Sequence, residues 1–202
     1  MKKIFSLLVV LFVASYAFTA NAQLRFGLKG GVNISTVHFS DVRENWNPNN
    51  VTGFHIGPMI EATVPLLGLG FDAALLYTQK GMEPQGVEIG DTKIGDDAIK
   101  IDYIDVPIHL RWKIDLPLIK PYLATGPYFG FRLSKDKVWS VLEDQIKAKT
   151  FGMGWDFGAG VELFNHLQVG FNYGLGLTDN YKLGKKEGGK NRGWMISAAI
   201  MF

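Results

Sequence analysis

Between Thr52 and Val64 the chain separates into two interleaved sets. Phe54, Ile56, Pro58, Ile60, Ala62 and Val64 form one, and His55, Gly57, Met59, Glu61 and Thr63 form the other. A period of two places those sets on opposite faces of an extended strand, which a helical period of 3.6 cannot do. The same split recurs. Leu24, Phe26, Leu28, Val32 and Ile34 oppose Arg25, Lys29, Asn33 and Ser35, while Ile104, Val106, Ile108, Leu110 and Trp112 oppose Asp105, His109 and Arg111. Met153, Trp155, Phe157, Ala159, Val161 and Leu163 oppose Gly154, Asp156, Gly158, Gly160 and Glu162, and Val169, Phe171, Tyr173 and Leu175 oppose Gln168, Gly170, Asn172 and Gly174. The pattern predicts eight strands, at 24–36, 52–64, 68–81, 99–113, 118–133, 150–163, 167–178 and 192–202.

The connections alternate in length. Long polar segments occupy 38–50, 83–97, 134–148 and 179–191, and tight turns fall at Pro65-Leu66-Leu67, at 114–117 and at Phe164-Asn165-His166. This is the layout of an all-β, eight-stranded antiparallel up-and-down transmembrane barrel, with short periplasmic turns and long extracellular loops. The polar phase carries Arg25, Lys29, Glu61, Asp72, Lys80, Asp105, Arg111, Arg132, Asp156 and Glu162, interleaved with glycines. A water-facing surface has no need of so many glycines. The narrow lumen of a small barrel needs small residues and paired charges, so the polar phase is expected inside and the apolar phase against lipid. Trp112, Trp155, Trp194 and Phe202 fall on that outward phase, as aromatic girdles would.

Composition narrows the reading further. Of 202 residues, 47% are hydrophobic and 20% charged, which excludes a disordered chain. The formal net charge of +2 is too small to argue for nucleic-acid binding. The absence of cysteine removes disulfides, thiolate metal sites and a Cys nucleophile together. Met1-Lys2-Lys3, the uncharged apolar run Ile4–Phe18 and Ala20-Asn21-Ala22 have the form of a secretory signal over residues 1–22, leaving a barrel domain over 23–202. Without Lys2 and Lys3 the basic and acidic residues number 19 each, so the exported chain is formally neutral.

Gly27-Leu28-Lys29-Gly30-Gly31-Val32-Asn33, Leu75-Leu76-Tyr77-Thr78-Gln79-Lys80-Gly81, Tyr103-Ile104-Asp105-Val106-Pro107, Gly126-Pro127-Tyr128 and the final Phe202 resemble the porin-like or PorT-like outer-membrane β-barrel family of Gram-negative bacteria of the Bacteroidetes type. The resemblance spans nearly all of residues 23–202 and implies a barrel in the outer membrane. It implies little about activity, because most members have no defined one and the named member assists secretion across that membrane.

Candidate chemistry is sparse. His55 and His109 fall on the lumen phase, and Asp105 precedes His109 by four residues, a separation of ~13 Å along a strand and too long for a direct bond. Catalysis is therefore not expected, nor is a cofactor, and Asp91, Asp96 and Asp97 lack the ligand spacing of a calcium loop. The ten lumen charges are expected to pair and plug the barrel. Residues 83–97 carry an excess of four negative charges and 179–192 an excess of three positive ones, in loops expected to face each other across the mouth. Lys182, Lys185, Lys186 and Lys190 are the candidates for contact with lipopolysaccharide phosphates. Phe202, ending the outward phase of Trp194, Ile196, Ala198 and Ile200, is the candidate signal for the barrel-assembly machinery. The expected function is that of an integral outer-membrane barrel of structural or interaction type. Its loops would meet outer-membrane lipids, other envelope proteins or extracellular ligands; the alternatives are a narrow channel and a lipid-modifying enzyme.

Overall fold

The computed structural model describes residues 23–39, 50–64, 67–82, 88–89, 92–93, 99–133, 146–148, 150–178, 181–183 and 187–202. The signal segment, Lys185, Lys186, Asp91, Asp96 and Asp97 lie outside them.

Strand β1 (Gln23–Phe39) pairs antiparallel with β2 (Val51–Val64) on one side and with β13 (Glu187–Met201) on the other, which closes the sheet. The ring runs from β2 through β3 (Leu69–Ala74) and its continuation β4 (Leu76–Met82) to β7 (Ile99–Lys113), β8 (Ile119–Arg132), β10 (Phe151–Leu163), β11 (Leu167–Gly176) and back to β13. With β3 and β4 as one broken strand, this is a closed eight-stranded antiparallel barrel. A short hairpin of β5 (Glu88–Ile89) and β6 (Thr92–Lys93) stands apart. At the long-loop end, β12 (Tyr181–Leu183) pairs with the start of β13 and with β9 (Ile146–Ala148), extending the wall beyond the ring.

The strands therefore fall where the period-two pattern predicts them, with one interruption the pattern does not reveal. At Leu75 the N–H donates to Pro58 O at 3.0 Å, and proline has no N–H to return. The opposite end is held by tight turns. Phe164 and Asn165 both have positive φ (52° and 61°), and His166 N donates to Leu163 O at 3.1 Å, the geometry of a mirror-image two-residue hairpin turn.

The two phases separate as their chemistry demands. Leu24, Phe26, Leu28, Phe54, Phe71, Leu110, Phe157 and Phe171 are exposed on the outside, while Lys29, Asn33, His55, Glu61, Asp72, Asp105, His109, Arg111, Asp156 and Glu162 are buried within. Trp112 lies outward near the short-turn end. Trp155, whose Nε1 donates to Thr125 Oγ1 at 2.8 Å, and Trp194, packed on Phe171 and Tyr173, lie outward higher up. An apolar belt around a polar interior, with every barrel strand paired on both sides, satisfies the backbone in lipid without a helix. No helix among the described residues is long and apolar enough to cross a membrane.

Candidate functional site: the lumen and its two ends

The lumen is filled by side chains from the polar phase, and room for them comes from glycine. A Cβ at Gly154 would collide with the Tyr128 ring, and one at Gly160 or Gly170 with the end of Tyr122. These strands can carry two inward tyrosines only because their neighbours present bare backbone there.

Toward the short-turn end the charges form one cross-linked cluster. Arg25 of β1 reaches Glu162 of β10 (Nη2–Oε2 2.6 Å) and Glu61 of β2 (Nη2–Oε1 2.5 Å). Lys113 of β7 joins the same two carboxylates, Glu162 at 2.5 Å and Glu61 at 2.7 Å. Arg111 donates to Glu61 Oε2 at 2.7 Å, to Asp72 Oδ2 at 2.9 Å and to Gln168 Oε1 at 2.7 Å, while Gln168 Nε2 donates onward to Glu61 and Glu162. Every carboxylate there thus faces at least one cation, as ions withdrawn from water require. Above this layer His109 bridges Asp72 (Nδ1–Oδ1 3.2 Å) and Asp156 (Nε2–Oδ2 3.2 Å), and toward the long-loop end Lys80 pairs with Asp105 at 2.7 Å while lying 4.8 Å from the Tyr128 ring centroid.

Of the ten charges singled out in the sequence, Arg25, Glu61, Asp72, Lys80, Asp105, Arg111, Asp156 and Glu162 enter these contacts. Arg132 sits half-buried near the long-loop end, with no ion pair among the described residues, and Lys29 is buried beside Arg111 and Gln168 without an ion pair of its own. Lys113, His109 and Gln168 complete the cluster and were not among the ten. Lys113 continues the alternation Asp105, His109, Arg111, so its phase alone placed it inside. Asp105 and His109 do not meet, and both carboxylate partners of His109 come from other strands.

A second hydrogen-bonded group runs along the inner wall over the adjacent strands β2, β1 and β13. Asn33 Nδ2 donates to Gln79 O, which turns its Oδ1 toward His55 Nδ1 at 3.4 Å, and His55 Nε2 lies 3.0 Å from Ser197 Oγ. With Oδ1 as acceptor the proton sits on Nδ1, so Nε2 accepts from the serine hydroxyl. That is the order of an acyl-transfer triad. All three residues are buried, however, and the cavity touching Ser197 measures about 10 Å³, room for one water-sized atom and for no acyl group. At the short-turn end a wider recess of about 350 Å³ opens between Arg25, Lys113, Lys120, Glu162, Asn165 and His166. Among the described residues no group of His, Asp and Glu is arranged to hold a metal ion.

At the long-loop end β12 and β13 bring Lys182 and Lys190 to the rim, and Lys190 is half-buried. Phe202 is fully outward at the other end, its N–H donating to Phe26 O at 2.7 Å across the β1–β13 seam.

An apolar exterior, an ionic interior and a closed ring of eight strands define an integral barrel of the outer membrane. The chain belongs to the outer membrane protein beta-barrel domain family, whose model matches residues 17–182, and its place is the outer membrane of a Gram-negative bacterium. No curated protein sequence matches it. Among solved structures it is similar to Ail, the attachment invasion locus protein of Yersinia pestis, crystallised with the heparin analogue sucrose octasulfate (14% identity, 89% of this chain and 99% of that one, TM-score 0.47). It is also similar to OprG of Pseudomonas aeruginosa (12% identity, 90% and 97%, TM-score 0.49) and to Neisserial surface protein A (15% identity, 88% and 97%, TM-score 0.45). Identities this low carry no function from one protein to another.

Proposed function

We propose that the chain works as an interaction barrel: a rigid, side-chain-filled cylinder that presents its long loops to ligands at the cell surface and neither conducts solutes nor catalyses a reaction. The observation that carries this reading is the cross-linking of the lumen by Arg25, Glu61, Arg111, Lys113, Glu162 and Gln168, which ties β1, β2, β7, β10 and β11 together across the interior. Eight strands leave an interior only just wide enough for side chains, and here those side chains are bonded to one another. The confinement of Ser197 in a water-sized cavity supports the non-enzymatic reading.

Binding on a rigid barrel resides in its loops. In this reading the basic segment around Lys182, Lys185, Lys186 and Lys190 holds lipopolysaccharide phosphates through charge-assisted hydrogen bonds, and other envelope proteins meet the same end. Residues 1–22 serve as the export signal, and Phe202 as the mark read by the barrel-assembly machinery. The test is lipopolysaccharide co-purification at low and high salt, with the four lysines replaced by Gln. Reduced retention and a flattened salt dependence support the site; unchanged retention with unchanged salt dependence leaves only a solvated loop.

A further inference from the structure

Three inward side chains that meet at one point of the lumen take no part in the bonding described above. Lys29 of β1, Tyr122 of β8 and Asn172 of β11 are each more than nine-tenths buried, at 7%, 8% and 6% exposure. Among the described residues, neither the Lys29 ammonium, the Tyr122 hydroxyl nor the Asn172 amide has a hydrogen-bond or ion-pair partner. All three line the same cavity of about 10 Å³ in the middle of the lumen, alongside Arg111. Tyr122 is held there by the Arg111 guanidinium 4.1 Å above its ring and by the bare backbone of Gly160 and Gly170 at its tip.

We propose that this cavity is a binding site for one monatomic monovalent anion, chloride in the cell. The lining contains no carboxylate and two cations. Its polar groups are chiefly donors: three N–H of Lys29, two of Asn172, the Tyr122 hydroxyl and the Nη2 of Arg111, which bonds its carboxylates and Gln168 through Nε and Nη1. Ser197 contributes no free donor, because its hydroxyl is turned to His55 Nε2. Donors buried without an acceptor are unfavourable, and an ammonium so placed is more unfavourable still.

Charge arithmetic selects an anion over a water. With the Lys29 amine protonated, and apart from half-buried Arg132 at the long-loop end, Arg25, Lys29, Lys80, Arg111 and Lys113 balance Glu61, Asp72, Asp105, Asp156 and Glu162 in the buried part of the lumen. His109 has a carboxylate oxygen 3.2 Å from each ring nitrogen, and a neutral imidazole has only one N–H to give. The Asp72–His109–Asp156 unit therefore holds one proton more than a neutral histidine between two carboxylates, leaving the interior one positive charge in excess. A water would accept hydrogen bonds but leave that charge standing. Size excludes phosphate, sulfate and carboxylates, since the cavity admits one water-sized sphere. The unbranched side chain of Met59 on the cavity wall can yield the few tenths of an ångström by which chloride exceeds water.

The probe is bromide, which replaces chloride and scatters anomalously. Crystals of the full mature barrel grown in sodium bromide are expected to show an anomalous peak between Lys29, Tyr122 and Asn172. Thermal unfolding in detergent is expected at a higher midpoint in sodium chloride or bromide than in sodium gluconate of equal ionic strength. Both effects should vanish in Lys29→Met; Asn172→Leu and Tyr122→Phe provide the same comparison if the lysine variant fails to fold, each expected to weaken both. A solvent peak without anomalous signal overturns the proposal, as does a halide-specific midpoint shift that survives in all three variants.

Discussion

Arg25 Nη2 lies 2.6 Å from Glu162 Oε2, although 137 residues separate them along the chain. The bond joins strands that are not neighbours in the ring, so it crosses the barrel interior and does not run along the wall. With Lys113 on the same carboxylate, it closes the short-turn end of the lumen.

The first consequence concerns conductance. In planar bilayers the purified protein is expected to give no stable openings of porin size, because solute passage requires several buried ion pairs to part at once. Long-lived openings of that size would establish the narrow-channel alternative.

Stability should depend strongly on the buried network and weakly on its rim. Replacing Arg111 by Met strips Glu61 and Asp72 of a shared partner in a buried setting, an expected loss of about 3–5 kcal/mol. Replacing Lys120 by Gln removes only its pair with Asp115, which is more than half exposed, for less than about 1 kcal/mol. Urea unfolding from lipid vesicles measures both. Equal losses would show that the interior is solvated and its charges screened.

Ser197 offers a test of the non-enzymatic reading. A fluorophosphonate reagent should leave it unlabelled in the folded barrel, because the adjoining cavity admits one water-sized atom. Stoichiometric labelling at Ser197, abolished by His55→Ala, would mean that the Asn33–His55–Ser197 line works as a nucleophile and that the interior opens to substrate.

The terminal residue bears on assembly. Deleting Phe202 removes an outward aromatic and the N–H that bonds Phe26 O on the closing strand. Less heat-modifiable protein is expected in the outer membrane, with the export signal still cut after Ala22. Equal insertion of truncated and full-length chains would exclude Phe202 as the assembly mark.

What the sequence by itself determined is everything that depends on period and phase. Alternation over Leu24–Ile34, Phe54–Val64 and Ile104–Trp112 placed strands and faces, because a side chain's side of a sheet depends only on its parity. Glycines among the charges told which face is the crowded lumen, and parity alone also contained Lys113. The tertiary structure decided which charge meets which. Asp105 and His109 share a strand and a face yet stay apart, while His109 finds Asp72 and Asp156 on other strands. Asn33, His55 and Ser197 come together from β1, β2 and β13 only when the first strand closes on the last. Lys29 looked like any other member of an ion-pair network. That it stands among donors, beside Tyr122 and Asn172, follows from register around the ring, which sets distances between strands that one strand's pattern does not contain.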